Sequence, residues 1–195
     1  MPEPVLVLAS TSPYRAELLA RLGVPFTVAA PSCDEEALKQ QISDPAALAC
    51  HLAELKARSV GQQRAGAFVL GGDQVVALDG DILGKPHTRE AALAQLKRLR
   101  GRSHKLLTAI CLIAPDGGIR SHLDEHTLSM RPLSDAALER YVQADSPLDC
   151  AGSYKIEARG IALFSRVDGE DFTAIPGLPL ITLCDWLSSS GFSVP

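Results

Sequence analysis

The sequence predicts a single domain of mixed α/β class, and three observations carry that prediction. Segments with helical spacing alternate with short apolar runs, the signature of an α/β chain. Two hairpin signals, Asp79-Gly80 and Pro115-Asp116-Gly117-Gly118, break the alternation, so the sheet is expected to mix parallel and antiparallel pairs. The 195 residues, 46% hydrophobic and 22% charged, suit one unit or two lobes sharing a core. A chain of this length buries about 70% of its unfolded surface and needs neither disulfides nor a structural metal to fold.

The elements follow in order. Val5 to Ala9 is an apolar run expected as a buried strand. Ser10-Thr11-Ser12-Pro13 ends it and opens a helix, because hydroxyl side chains accept from free N–H groups and proline suits a first turn. That helix turns Leu18, Leu19 and Leu22 inward and stops at Gly23, a left-handed cap. Phe26 to Ala30 reads as a second strand, and Asp44-Pro45 opens a longer helix with Leu48, Leu52 and Leu55 on one face. Ala67 to Leu78 reads as a strand interrupted at Gly71-Gly72, turning back at Asp79-Gly80. Thr88 caps a helix bearing Ala92, Leu93, Leu96 and Leu99, which ends near Gly101. Lys105 to Ala114 and the stretch to Met130 form a long hairpin about the Pro115–Gly118 turn. Pro132-Leu133-Ser134 introduces a helix through Val142. After an irregular stretch, Ile161 to Arg166 reads as strand and Leu180 to Leu187 as the last helix.

Composition excludes several classes. With 19 basic and 23 acidic residues the net charge is −4, and no basic stripe exists to neutralise a nucleic-acid polymer. The five cysteines, Cys33, Cys50, Cys111, Cys150 and Cys184, are odd in number and lack a C-x-x-C pair, which argues against a disulfide framework or zinc knuckle. Met-Pro-Glu-Pro lacks the basic and apolar regions of a secretory signal. The longest nearly apolar run, Leu106 to Ala114, is too short to span a bilayer. A reduced, cytoplasmic protein without membrane attachment is the expectation.

Five segments invite chemistry. Ser10 to Arg15 offers free N–H groups, a positive dipole end and an arginine for phosphate, although plain helix capping with a solvated arginine is the better reading of the segment taken alone. Asp73, in Gly71-Gly72-Asp73-Gln74, lies among apolar strand residues, where a lone carboxylate is costly unless paired or facing a cleft. Gly84-Lys85-Pro86 imitates the end of a P-loop, but Asp79 and Pro86 break that motif, leaving Lys85 as a point charge for phosphate. Asp34-Glu35-Glu36 is expected as an acidic loop, solvated or offering hard oxygens to Mg²⁺. His122-Leu123-Asp124-Glu125-His126 matches the H-x-x-E-H zinc pattern, yet that chemistry needs a helix and the hairpin makes this a strand with Glu125 facing away from both histidines. The basic run Lys97, Arg98, Arg100, Arg102 and Lys105 reads as a solvated helix end.

Taken in order, these segments resemble the Maf family of nucleoside triphosphate pyrophosphatases, from Val5 to about Leu187. The resemblance rests on Leu8–Arg15, Asp34-Glu35, Leu55-Lys56-Ala57, Gly71–Gln74, Gly84–Pro86, Cys150–Lys155 and Gly177–Leu180. It implies a two-lobed, elongated mixed sheet flanked by helices, related to the Ham1 fold, with the active site in the cleft. It also implies hydrolysis of a nucleoside triphosphate to the monophosphate and pyrophosphate with a divalent cation, Mg²⁺ before Mn²⁺. By resemblance Asp73 is the catalytic carboxylate, Lys56 and Lys85 join Ser10 and Arg15 in holding phosphates, and Glu35 serves metal and catalysis, sharing the metal with Asp73. Tyr14, Gln74 and Glu157 resemble the branch that prefers 7-methyl-GTP. A methylated guanine is cationic, so it gains a cation–π interaction with Tyr14, and Glu157 suits its charge and its N–H donors. Ala16 stands where the family commonly has a second arginine, and Gly72 where it has serine or alanine. Tyr14 replaces the branch's more usual tryptophan. The partners implied are a nucleotide and a second copy of the chain. Alternatives within the resemblance are a broader UTP or CTP pyrophosphatase and a nucleotide-binding regulator of cell division.

Overall fold

A computed structural model describes residues 4–194, so the Met1-Pro2-Glu3 part of the N-terminal reading lies outside the described residues. The elements are β1 (Leu6–Ala9), α1 (Pro13–Ala20), β2 (Phe26–Ala29), α2 (Glu35–Gln41), α3 (Pro45–Gly61), β3 (Phe68–Leu78), β4 (Asp81–Leu83), α4 (Arg89–Leu99), β5 (Ser103–Ile113), β6 (Ile119–Met130), α5 (Asp135–Asp145), β7 (Phe164–Asp168) and α6 (Leu180–Ser189). The strand order is β2-β1-β3-β5-β6-β7, with β4 added to β3. Parallel pairs join β1 to β2 and β3, and antiparallel pairs join β3 to β4 and β6 to β7, so the fold is the expected mixed α/β.

The chain divides into two units. The first takes in the described residues of 1–73, 108–124 and 171–195. Its core joins Leu6 and Leu8 of β1, Leu18 and Leu19 of α1, Leu70 of β3, Ile110 and Leu112 of β5, and Leu183 and Leu187 of α6. Phe68 and Phe192 close one end edge to face, with ring centroids 5.3 Å apart. Ser12 caps α1, Asp44 caps α3, and Gly23 adopts φ +68° after α1, as the sequence predicts.

Two expectations about this unit change. β3 runs without interruption through Gly71-Gly72. The glycines answer close packing instead of ending the strand: a Cβ at Gly71 would stand 2.7 Å from the Ala57 nitrogen, so α3 seats its backbone directly on β3 there. Asp34-Glu35-Glu36 is no loop but the start of α2, with Asp34 accepting the Ala37 N–H at 3.0 Å and both glutamates in the first turn.

The second unit comprises residues 74–107 and 125–170. Asp79 and Gly80, at φ +52° and +91°, form the predicted hairpin turn between β3 and β4. Thr88 and Ser134 cap α4 and α5 as expected. Inside, the rings of His104, Tyr154 and Phe164 meet, and the Tyr154 hydroxyl lies 3.0 Å from His104 Nε2. Burial lowers the His104 pKa to about 4 and pushes the Cys150 thiol up to about 12, so both stay neutral at pH 7. The strand expected over Ile161 to Arg166 starts later: Arg159–Leu163 is a 3₁₀ turn and β7 follows it. The basic run lies at and just beyond the end of α4 and is solvent-exposed, as expected, with its charges also paired. α4 stops at Leu99, and the five cations each meet a carboxylate: Lys97 and Arg100 share Asp135, Arg98 meets Asp81, Arg102 meets Asp79, and Lys105 meets Glu125.

Candidate active site

Helix α3 supplies the centre of the site. Its apolar face buries Leu48, Leu52 and Ala53, and one turn further on the same face carries Lys56, only 8% exposed. A lysine there needs partners, since a lone buried charge is costly. It has two: Nζ lies 2.5 Å from Asp73 Oδ1 on β3 and 3.2 Å from Glu35 Oε1 at the head of α2. The close seating of α3 on Gly71 sets this reach, because Asp73 follows two residues later on the same strand.

A second group sits at the end of β1. Ser10 is buried, and its Oγ accepts the Ser12 N–H at 3.1 Å and lies 3.5 Å from Arg15 Nη1. Arg15, in the first turn of α1, donates from Nε to the Gly177 carbonyl at 3.1 Å. Burial lowers the pKa of its guanidinium, and the charges of Asp73 and then Glu35 oppose that shift. A Cβ at position 72 would stand 3.3 Å from Arg15 Nε, so glycine there leaves the arginine room that alanine or serine would contest. The first unit thus gathers Ser10, Arg15, Glu35, Lys56 and Asp73; Tyr14, half-buried, precedes Arg15 on α1.

The other predicted residues belong to the second unit. Gln74 follows Asp73 on β3 and is half-buried. Lys85 is exposed, and its loop is held where Gln95 Nε2 donates to the Gly84 carbonyl at 2.9 Å. The same Gln95 accepts from Ser153 Oγ at 2.6 Å, tying down the Cys150–Lys155 segment. Glu157 is exposed in a turn closed on the Lys155 carbonyl, which accepts the Ala158 and Gly160 N–H groups.

Sequence reasoning missed Gln95 as a support of these loops, and Asp171 and Thr173 as supports of the segment that carries Gly177. Asp171-Phe-Thr carries a local turn signal, but nothing nearby shows that the carboxylate reaches a helix start ten residues on. On β6 Glu125 is exposed while Asp124 and His126 are buried, which agrees with the strand reading of H-x-x-E-H. No group of three or more His, Cys, Asp or Glu fit to hold a metal exists among the described residues. Two carboxylates that share a lysine instead suit Mg²⁺, which takes one or two carboxylates and fills its shell with waters and substrate phosphates.

Chemically, the first unit offers a carboxylate able to take a proton from water, beside a lysine and an arginine that suit anionic oxygens. The chain is similar to known proteins of one family. A Maf-like protein family model matches residues 5–190. A 7-methyl-GTP pyrophosphatase of Bdellovibrio bacteriovorus is 50% identical over 94% of this chain and 95% of its own. One of Albidiferax ferrireducens is 46% identical over 100% of this chain and 98% of its own. The Staphylococcus aureus Ham1 protein shares the fold, with a TM-score of 0.55 at 14% identity over 95% of this chain and 98% of that one.

Proposed function

The chain belongs to the Maf family, and from that premise we propose that it hydrolyses 7-methyl-GTP to 7-methyl-GMP and pyrophosphate, clearing a modified nucleotide. The observation that carries the mechanism is Asp73, buried and held by Lys56 within the site of the first unit. Asp73 takes a proton from water as the water oxygen attacks the α-phosphorus. The bond from the α-phosphorus to the oxygen bridging to the β-phosphorus breaks, and pyrophosphate leaves with that oxygen. The transition state spreads negative charge over non-bridging oxygens, so cations matter more to it than covalent chemistry. Lys56 supplies one from the first unit, while Arg15 and Ser10 anchor phosphate equally in the ground state and the transition state. Asp73 and Glu35 would hold Mg²⁺, which supplies positive charge against the triphosphate when bound. Tyr14 stacks on the base, and the positive charge of 7-methylguanine favours it over a neutral pyrimidine. Lys85→Ala tests a phosphate contact, and Gln74→Ala and Glu157→Ala test base reading, each by its effect on kcat/KM for 7-methyl-GTP against the pyrimidine triphosphates.

Five free cysteines support a reducing compartment, so we place the protein in the cytoplasm. No helix among the described residues is long and apolar enough to cross a membrane.

The test is pyrophosphate release with Mg²⁺ from 7-methyl-GTP, GTP, UTP, CTP and dTTP. A higher kcat/KM for 7-methyl-GTP is expected, lost on chelation with EDTA and restored by Mg²⁺, with Tyr14→Arg eroding the preference. Faster turnover of a pyrimidine overturns the base reading and leaves the reaction class. Nucleotide binding without release overturns the enzyme and favours the regulatory module.

A further inference from the structure

We infer that Asp171 is a positioning residue for Arg15, acting through Thr173 and the loop that presents the Gly177 carbonyl. The inference rests on Arg15 holding substrate phosphate, as proposed above.

Asp171 is 3% exposed, more enclosed than Asp73. A carboxylate that deep is costly unless its oxygens are used, and here both are. Oδ1 accepts the Thr173 N–H at 2.9 Å and the Thr173 hydroxyl at 2.5 Å, and Oδ2 accepts the Ile181 N–H at 2.8 Å. Thr173 Oγ1 in turn accepts the Leu180 N–H at 2.9 Å. The residue before α6 is Pro179, whose ring carries no acceptor to cap the helix, so the free N–H groups of Leu180 and Ile181 are met from the far side of a loop.

Residues 174–179 are thereby pinned at both ends to one carboxylate. Thr108 Oγ1 donates to the Ala174 carbonyl at 2.9 Å, and the Gly177 N–H donates to the same oxygen at 3.0 Å. What the pinned loop delivers is the Gly177 carbonyl, which receives Arg15 Nε at 3.1 Å. Gly177 adopts φ +132°, and a Cβ there would stand 3.3 Å from Arg15 Cγ, so the loop both orients the arginine and confines it. Because a guanidinium is planar, holding Nε fixes the plane in which the remaining N–H donors meet a phosphate. Both Asp171 oxygens are taken up by Thr173 and Ile181, so it acts only through the direction it gives Arg15.

A double-mutant cycle of Asp171→Asn with Arg15→Lys tests this, because lysine has no Nε–H to meet Gly177. The readouts are the Kd for inorganic triphosphate with Mg²⁺ by calorimetry, and KM and kcat for 7-methyl-GTP. Asp171→Asn is expected to raise Kd and KM about tenfold with kcat within about twofold, the pattern of lost uniform binding. In the Arg15→Lys background it is expected to add less than about twofold. A full tenfold effect in both backgrounds marks a merely structural role and overturns the inference, as does an unchanged KM. An Arg15→Lys protein with wild-type Kd overturns it too, and so does a wild-type protein that binds no triphosphate. If Asp171→Asn does not fold, Thr173→Val removes the acceptor for Leu180 at constant shape. That variant is expected to show about threefold on Kd, again absorbed by Arg15→Lys, and a threefold effect that survives Arg15→Lys overturns the inference. A wild-type protein that binds triphosphate but releases no pyrophosphate overturns the proposed reaction instead, and the cycle on Kd still decides the role of Asp171.

Discussion

Charge is handled in opposite ways by the two units. In the first, a single lysine is closed between two carboxylates on three different elements, with Lys56 and Asp73 both nearly inaccessible. In the second, five cations from Lys97 to Lys105 meet four acids while remaining largely open to water. Distances do not separate the two groups: 2.7 Å between Arg98 and Asp81 rivals 2.5 Å between Lys56 and Asp73. Desolvation does. Water screens the surface pairs to a median near zero to 1 kcal/mol, whereas removing one partner from the buried cluster strands a charge. Only the enclosed set can act strongly on a substrate's charge, because its field is not spent on solvent.

Four measurements break or sharpen this contrast. Asp73→Asn is expected to lower kcat/KM for 7-methyl-GTP by about 10³- to 10⁴-fold in a chain that is less stable but still folded at the assay temperature, Glu35 remaining as the partner of Lys56, read by pyrophosphate release and calorimetry. Near-normal turnover would refute the assigned base. Lys56→Met leaves two carboxylates facing each other and is expected to cost about 4 kcal/mol in denaturant unfolding. A loss no larger than that of a surface pair would erase the contrast altogether.

The third expectation concerns the neutral interior of the second unit. His104 has a folded pKa lowered from 6.5 to about 4, so between those values the unfolded chain binds the extra proton. Stability is therefore full above pH 6.5 and declines as pH falls towards 4, by about 3 kcal/mol if the whole shift counts. Urea unfolding at pH 7 and pH 4 measures it, and His104→Gln, which keeps a polar partner for Tyr154, should flatten that dependence. The smallest effect is expected for Arg98→Ala, within about 0.5 kcal/mol by the same unfolding assay.

Local signals in the sequence reached most elements because caps are local: Ser12, Asp44, Thr88 and Ser134 each accept an N–H three residues on. Elements failed where the cause was distant. The glycines of β3 look like a break, and only the approach of α3, fourteen or more residues upstream, shows why the strand needs them. Glu35 looked like part of a loop because its short helix buries no residue and so shows no apolar stripe. In the site, Asp73 announced itself as a carboxylate among apolar neighbours. Lys56 did not, since a lysine on a helix ordinarily reads as solvent-facing, and it entered only through the family resemblance. Asp171 stayed silent because an aspartate before threonine makes an ordinary turn, and its longer reach depends on where α6 begins.

Gly71 carries one more consequence. The missing methyl at that position acts as a gauge block, setting how far the α3 backbone stands from β3 and hence how far Lys56 reaches to Asp73. Machining tolerance is the apt measure: a spacer one carbon thick would detune the site with every charged group still in place. Surveys of natural variants that score only ionisable positions would pass such a chain as intact, and position 71 belongs beside 56 and 73 in any such survey.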